Sequence, residues 1–121
     1  MAKSKAEALI VTCIDFRLQS SINKWISENL NPDTFDRVAL GGGVKNLDVI
    51  LQQVKIGNDL HQIKKVILVN HENCGAYGEE SNLKNHIADL KSAKHQINKL
   101  YPDLEVETYY LYLNGEFEKI I

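Results

Sequence analysis

Ala8-Leu9-Ile10-Val11-Thr12-Cys13-Ile14-Asp15-Phe16-Arg17 is the stretch from which the rest of the chain can be read. Its first five residues are apolar or β-branched without interruption, the pattern of a parallel strand covered on both faces. Val66-Ile67-Leu68-Val69-Asn70 repeats it, and Phe35-Asp36-Arg37-Val38-Ala39-Leu40 and the run Thr108 to Leu113 supply two further strands. Helical spacing lies between them: Leu18, Ile22, Trp25, Ile26 and Leu30; then Leu47, Ile50, Leu51 and Val54; then Leu83, Ile87, Leu90, Ile97 and Leu100. Pro32 and Pro102 stop the first and third helices, because the residue before a proline avoids the α region. Right-handed crossovers turn a β-α-β-α-β-α-β order into a three-layer α/β/α sandwich around a mainly parallel sheet of order 2-1-3-4. The Asn114-Gly115 turn then predicts a C-terminal antiparallel edge strand within Glu116 to Ile121. With no internal repeat, low-complexity segment or linker, residues 1–121 read as a single domain.

The 121 residues carry 14 Lys plus Arg against 16 Asp plus Glu, a formal charge of −2 without a basic run, which excludes an electrostatic nucleic-acid partner. A chain of this length packs a core without disulfide staples. The head, Met1 to Glu7, leads into only six apolar-leaning residues, Ala8 to Cys13, too few for a signal segment or a membrane span. The expectation is a cytoplasmic protein that meets no membrane, in which both cysteines stay reduced and available for chemistry.

In an open parallel sheet the ligand site lies at the carboxyl ends of the strands, where neighbouring connections leave in opposite directions. Cys13 closes the first strand, and His71 and Cys74 follow the third. In the order 2-1-3-4 those strands are neighbours about 4.8 Å apart, so two thiols and an imidazole converge there. Such a set suits Zn²⁺ with a fourth position left open. Extended backbone would turn Cys13, Asp15 and Arg17 towards the site and leave Ile14 and Phe16 to pack away from it. Asp15 then either fills the fourth position or is held off it by the planar fork of Arg17. Gly41, Gly42, Gly43 and Gly75 stand beside these residues as candidate lining of a substrate pocket, the triple glycine read as a turn needing φ > 0 or a close backbone approach.

Cys13-Ile14-Asp15-Phe16-Arg17, followed 58 positions after the first cysteine by His71-Glu72-Asn73-Cys74-Gly75, resembles the Cys-x-Asp-x-Arg and His-x-x-Cys-Gly motifs of the β-class carbonic anhydrases. The likeness extends to the Tyr-containing strand, glycine turn and antiparallel strand at the C-terminus, and so spans nearly the whole chain apart from the family's longer N-terminal helical arm. It implies a zinc enzyme interconverting carbon dioxide and bicarbonate, with Cys13, His71 and Cys74 on the metal and Asp15 and Arg17 as the catalytic dyad. Zinc lowers the pKa of bound water to about 7, which supplies a hydroxide nucleophile near neutrality. The family also implies a homodimer or higher homo-oligomer, an interface falling here to the helices and the second-strand region. One segment departs from the family: an Arg-Asn-Ala-Gly type sequence is replaced by Ala39-Leu40-Gly41-Gly42-Gly43-Val44.

That departure keeps two relatives of the reading open: hydrolysis of carbonyl sulfide or carbon disulfide, and a zinc-binding protein without turnover. A thiolate phosphatase or sulfurtransferase built on Cys13 is disfavoured, since Cys-x5-Arg needs an arginine where Gln19 stands. His61, His86 and His95, set among Lys, Asn and Gln, read as residues of solvated helix faces. Tyr109, Tyr110 and Tyr112 read as strand packing.

Overall fold

The computed structural model describes residues 5–121. Residues 1–4, at the head of the segment read as carrying no export signal, lie outside the described residues. Five strands and three helices alternate as expected: β1 (Ala8–Thr12), α1 (Gln19–Asn29), β2 (Phe35–Ala39), α2 (Leu47–His61), β3 (Lys65–His71), α3 (Leu83–Leu100), β4 (Glu105–Leu111) and β5 (Phe117–Ile120). They form one sheet of order β2-β1-β3-β4-β5, with β4 and β5 antiparallel and every other pair parallel. No helix among the described residues is long and apolar enough to cross a membrane.

The sandwich follows from alternation along the central strands. Leu9, Val11, Val66 and Leu68 face one side, where they pack with Ile50 and Val54 of α2 and Leu90, Ala93 and Ile97 of α3. Ala8, Ile10, Ile67 and Val69 face the other and meet Ile22 and Ile26 of α1. Both faces of β1 and β3 are therefore covered, which is why these two runs contain almost nothing polar. On the α1 side Trp25 stacks on Phe117 at 5.1 Å between ring centroids with Tyr109 edge-on to it at 5.0 Å, so the C-terminal hairpin is anchored by aromatic packing.

The start of β4 and the packed stripe of α3 differ from the sequence reading. β4 begins at Glu105, three residues before Thr108, because Glu107 is accommodated in the strand: its carboxylate accepts from Tyr109 Oη at 2.7 Å and from Lys65 Nζ at 3.4 Å on neighbouring β3. The buried stripe of α3 is His86, Leu90, Ala93 and Ile97, whereas Leu83 and Leu100 are largely exposed.

The glycine run is the turn expected of it. Gly42 and Gly43 have φ of +90° and +58°, the left-handed region. A Cβ on Gly43 would also collide with Asn70 Oδ1 and stand 3.0 Å from the Val69 carbonyl. Gly43→Ala is accordingly expected to cost roughly 1–3 kcal/mol, seen as a lowered urea midpoint, from backbone strain and steric overlap together. An unchanged midpoint would mean that the turn relaxes freely.

Candidate metal centre

β1 and β3 are adjacent, and their connections leave in opposite directions, to β2 and to β4. At this switch point Cys13, His71 and Cys74 come together, all buried, with their ligand-type atoms within 4.8 Å of one another. The loop after β3 delivers Cys74 by two devices. Asn73 takes a left-handed φ of 55°, and the Cys74 carbonyl accepts the N–H groups of Tyr77 and Gly78. Glu72 ties the same loop to β4, donating its N–H to the Leu111 carbonyl and accepting from Leu113 N–H at 2.9 Å.

His71 presents itself as a donor. Its Nδ1 lies 2.6 Å from the Glu72 carbonyl, which can only accept, so Nδ1 carries the proton and Nε2 the lone pair. Nε2 is buried with no hydrogen-bond partner. A buried imidazole lone pair without a partner, facing two thiols, is the donor set a thiophilic metal ion takes up, so these residues fit a metal. Burial pushes the Cys13 thiol up, but the neighbouring His71 ring and hydrogen bonds from the backbone at Gly42 and Asp15 outweigh it and bring its pKa down to about 7. The Gly42 N–H approaches Cys13 Sγ at 3.4 Å. Burial and the neighbouring Cys13 push the Cys74 thiol the other way.

Asp15 and Arg17 form a fork. Arg17 Nε reaches both carboxylate oxygens at 3.1 Å and Nη2 reaches Oδ2 at 2.7 Å, while the Arg17 N–H donates to Oδ1 at 2.9 Å. Nη2 also donates to the Asn73 carbonyl at 2.8 Å, tying the dyad to the Cys74 loop. Hydrogen bonding from Arg17 holds the Asp15 carboxyl down at about 2, so it is ionised across the physiological range. Its Oδ2 stands 3.8 Å from His71 Nε2. Gln19 Nε2 fixes the segment by donating to the Cys13 and Asp15 carbonyls at 3.2 and 2.7 Å.

An open cleft of about 530 Å³ reaches Cys13, with Asp15, Arg17, Gly41 and Gly75 in its wall. An added Cβ at either glycine would meet nothing within 4 Å, so these two keep the wall low rather than relieve a clash. Gly42 and Gly43 lie behind the wall and support Cys13 and Asn70. Ile14 and Phe16 do not pack away from the site: they line the cleft, 61% and 86% exposed. The extended chain gives way at Phe16 to a 3₁₀ turn that Asp15 caps, so alternation cannot carry these side chains into the core.

His86 overturns its reading as a solvated residue, since it is fully buried. It falls four residues before Leu90 on the stripe that packs on the sheet, a spacing visible in the sequence but masked by its polar neighbours. Asn70, Tyr77, Ser81 and Asp89 join it in a polar network behind Cys74 that no local motif announces. Burial, with a smaller contribution from the charge of His71, lowers the His86 pKa from 6.5 to about 4. The unfolded chain therefore takes up a proton that the folded chain refuses as pH falls from about 6.5 to about 4, and stability drops across that window. Urea midpoints of the wild type should fall over this range and those of His86→Gln should fall less; parallel curves would show that His86 titrates alike in both states.

Fold and cluster together define a carbonic-anhydrase-like α/β protein. The carbonic anhydrase of Glaciozyma antarctica has the same fold, with a TM-score of 0.72 at 14% identity over 100% of this chain and 85% of that one. A β-carbonic anhydrase of Trichomonas vaginalis gives 0.67 at 15% identity, covering 100% and 87%. The apo form of a carbon disulfide hydrolase gives 0.68 at 13% identity, covering 98% and 80%. Residues 3–121 match the family model described as "Putative carbonic anhydrase", and the chain belongs to that family. An uncharacterized protein of Rickettsia bellii is 30% identical over an alignment of 136 positions, which takes in 97% of this chain and 83% of the relative.

Proposed function

We propose that this chain is a zinc-dependent carbonic anhydrase that reversibly hydrates carbon dioxide to bicarbonate. The observation that carries the reading is the buried, partnerless His71 Nε2 among the donor atoms of Cys13 and Cys74, with an ionised Asp15 carboxylate pinned beside it. Cys13, His71 and Cys74 would hold zinc, which when bound supplies the Lewis acidity that makes a water nucleophilic near neutrality. Arg17 keeps Asp15 from collapsing onto the donors and fixes the direction of its lone pairs. Asp15, an acceptor at working pH, orients the nucleophilic water towards the substrate carbon, and Gly41 and Gly75 leave room for a small linear molecule. The free thiols suit a reducing, cytoplasmic setting. Elemental analysis beside a stopped-flow hydration assay tests the reading: about one zinc per chain with hydration sustains it, and metal without hydration selects a zinc protein that has no such turnover.

The apolar mouth formed by Ile14 and Phe16 favours one further reading, hydrolysis of carbon disulfide or carbonyl sulfide. A neighbour in fold is a carbon disulfide hydrolase. Sulfide release with negligible carbon dioxide hydration would select it.

We also infer assembly into at least a dimer. A tetrameric β-carbonic anhydrase of Sordaria macrospora shares the fold at a TM-score of 0.59 and 14% identity, and large apolar side chains stand exposed beside the cleft of this chain. Light scattering at micromolar concentration should give at least twice the chain mass; a monomeric mass would remove the inference.

A further inference from the structure

Behind the metal centre a chain of hydrogen bonds has only one consistent polarity, and two unambiguous donors fix it. Val44 N–H can only donate, so the Asn70 atom it meets at 3.1 Å is the carbonyl oxygen Oδ1. Tyr77 Oη, 2.7 Å from the Asp89 carboxylate, spends its one proton there and must accept from Asn70 at 3.0 Å. Both contacts therefore orient the Asn70 amide the same way, with Nδ2 towards the interior. The second Nδ2 proton points at His86 Nδ1, 2.9 Å away, which must be an unprotonated acceptor. A neutral ring then bears its proton on Nε2, 2.9 Å from Ser81 Oγ. Ser81 Oγ in turn receives the Cys74 backbone N–H at 2.8 Å. The ring is sandwiched between Tyr77 and Tyr110, at 4.1 and 5.5 Å between centroids, which resists a flip.

We propose that His86 is a positioning residue for the Cys74 thiol: held as the Nε2–H tautomer by Asn70, it donates to Ser81 Oγ and fixes the oxygen that receives the Cys74 N–H. The low pKa of the buried ring keeps it neutral, and so directional, at physiological pH. The same relay ends at its other side on Val44 N–H, within the glycine turn whose Gly42 N–H meets Cys13 Sγ. One buried imidazole thus braces the supports of both cysteines across segments far apart in sequence. The inference rests on reading Cys13, His71 and Cys74 as metal ligands, and supports of this kind govern how well ligands are preorganised.

The test begins with the metal-free wild type. Two-bond ¹H–¹⁵N correlation spectra at neutral pH should show His86 as the Nε2–H tautomer, and the Cys74 amide should exchange slowly. Ser81→Ala and His86→Phe should speed exchange at Cys74 relative to core amides such as Ile67, and weaken Co²⁺ binding by about 10–100-fold with an altered thiolate charge-transfer band. His86→Gln, whose amide keeps a donor towards Ser81, should recover most of that loss. An Nδ1–H tautomer, or Ser81→Ala with unchanged Cys74 exchange and Co²⁺ affinity, would overturn the proposal. Should His86→Phe not fold, the tautomer and Ser81→Ala still decide. Failure of the wild type to bind Co²⁺ would instead sink the ligand assignment, while tautomer and exchange judge the relay separately.

Discussion

Cys74→Ser should leave purified protein almost free of zinc, from about one per chain in the wild type. A serine hydroxyl is close in size to a thiol but stays protonated at neutral pH, so it offers zinc no anionic donor where the thiolate did. Cys13 and His71 alone make two protein donors, fewer than zinc sites of either structural or catalytic type retain. The fold should survive, because the Cys74 side chain contributes to a small cluster with Cys13 and Tyr77, outside both faces of the sheet core. The Cys74 backbone also keeps its N–H bond to Ser81 and its carbonyl bonds to Tyr77 and Gly78. Elemental analysis after dialysis, beside circular dichroism, checks both halves. A variant that keeps stoichiometric zinc would show that Cys74 is not a ligand.

The second large effect concerns the dyad and leaves the metal in place. Asp15→Ala should retain zinc and lose hydration by about 10²–10⁴-fold, the usual worth of a positioned proton-handling group. Arg17→Ala should behave alike for a different reason. Without the fork, the Asp15 carboxylate, already 3.8 Å from His71 Nε2, becomes a fourth donor beside two thiols and an imidazole. The pH dependence follows from the same geometry: since Arg17 holds the Asp15 carboxyl at about 2, its titration cannot shape a profile near neutrality. A wild-type rate rising towards alkaline pH therefore reports the nucleophilic water, and any closed form of the site, with Asp15 on the metal, should prevail at lower pH. Metal content, pH-rate profiles and hydration rates of both variants provide the measurement, and near-wild-type hydration in either would make the dyad a bystander.

How far the sequence reaches is clearest at β1 and β3. Their unbroken apolar runs demand cover on both faces, and that requirement with right-handed crossovers is enough to place β1 beside β3. From there the meeting of Cys13, His71 and Cys74 is a matter of strand ends, legible because each residue sits within three positions of a strand terminus. Turn chemistry was legible on the same grounds, since Gly42 and Gly43 and the Asn114-Gly115 turn announce backbone conformations that few other residues adopt.

What the chain alone determined, then, is what depends on local period and on chain direction. Tertiary structure decided what depends on partners. His86 is buried because Asn70, Ser81, Tyr77 and Tyr110 gather round it from β3, the loop after it and β4, and no feature of α3 by itself reveals that company. Glu107 sits inside a strand because Lys65 offsets its charge there and Tyr109 donates a hydrogen bond to it. Ile14 and Phe16 face the cleft because the chain curls into a 3₁₀ turn, which defeats the alternation that would bury them. The physical reason is the same in each case: the free energy of a buried polar group or an exposed apolar one is set by neighbours that periodicity cannot see.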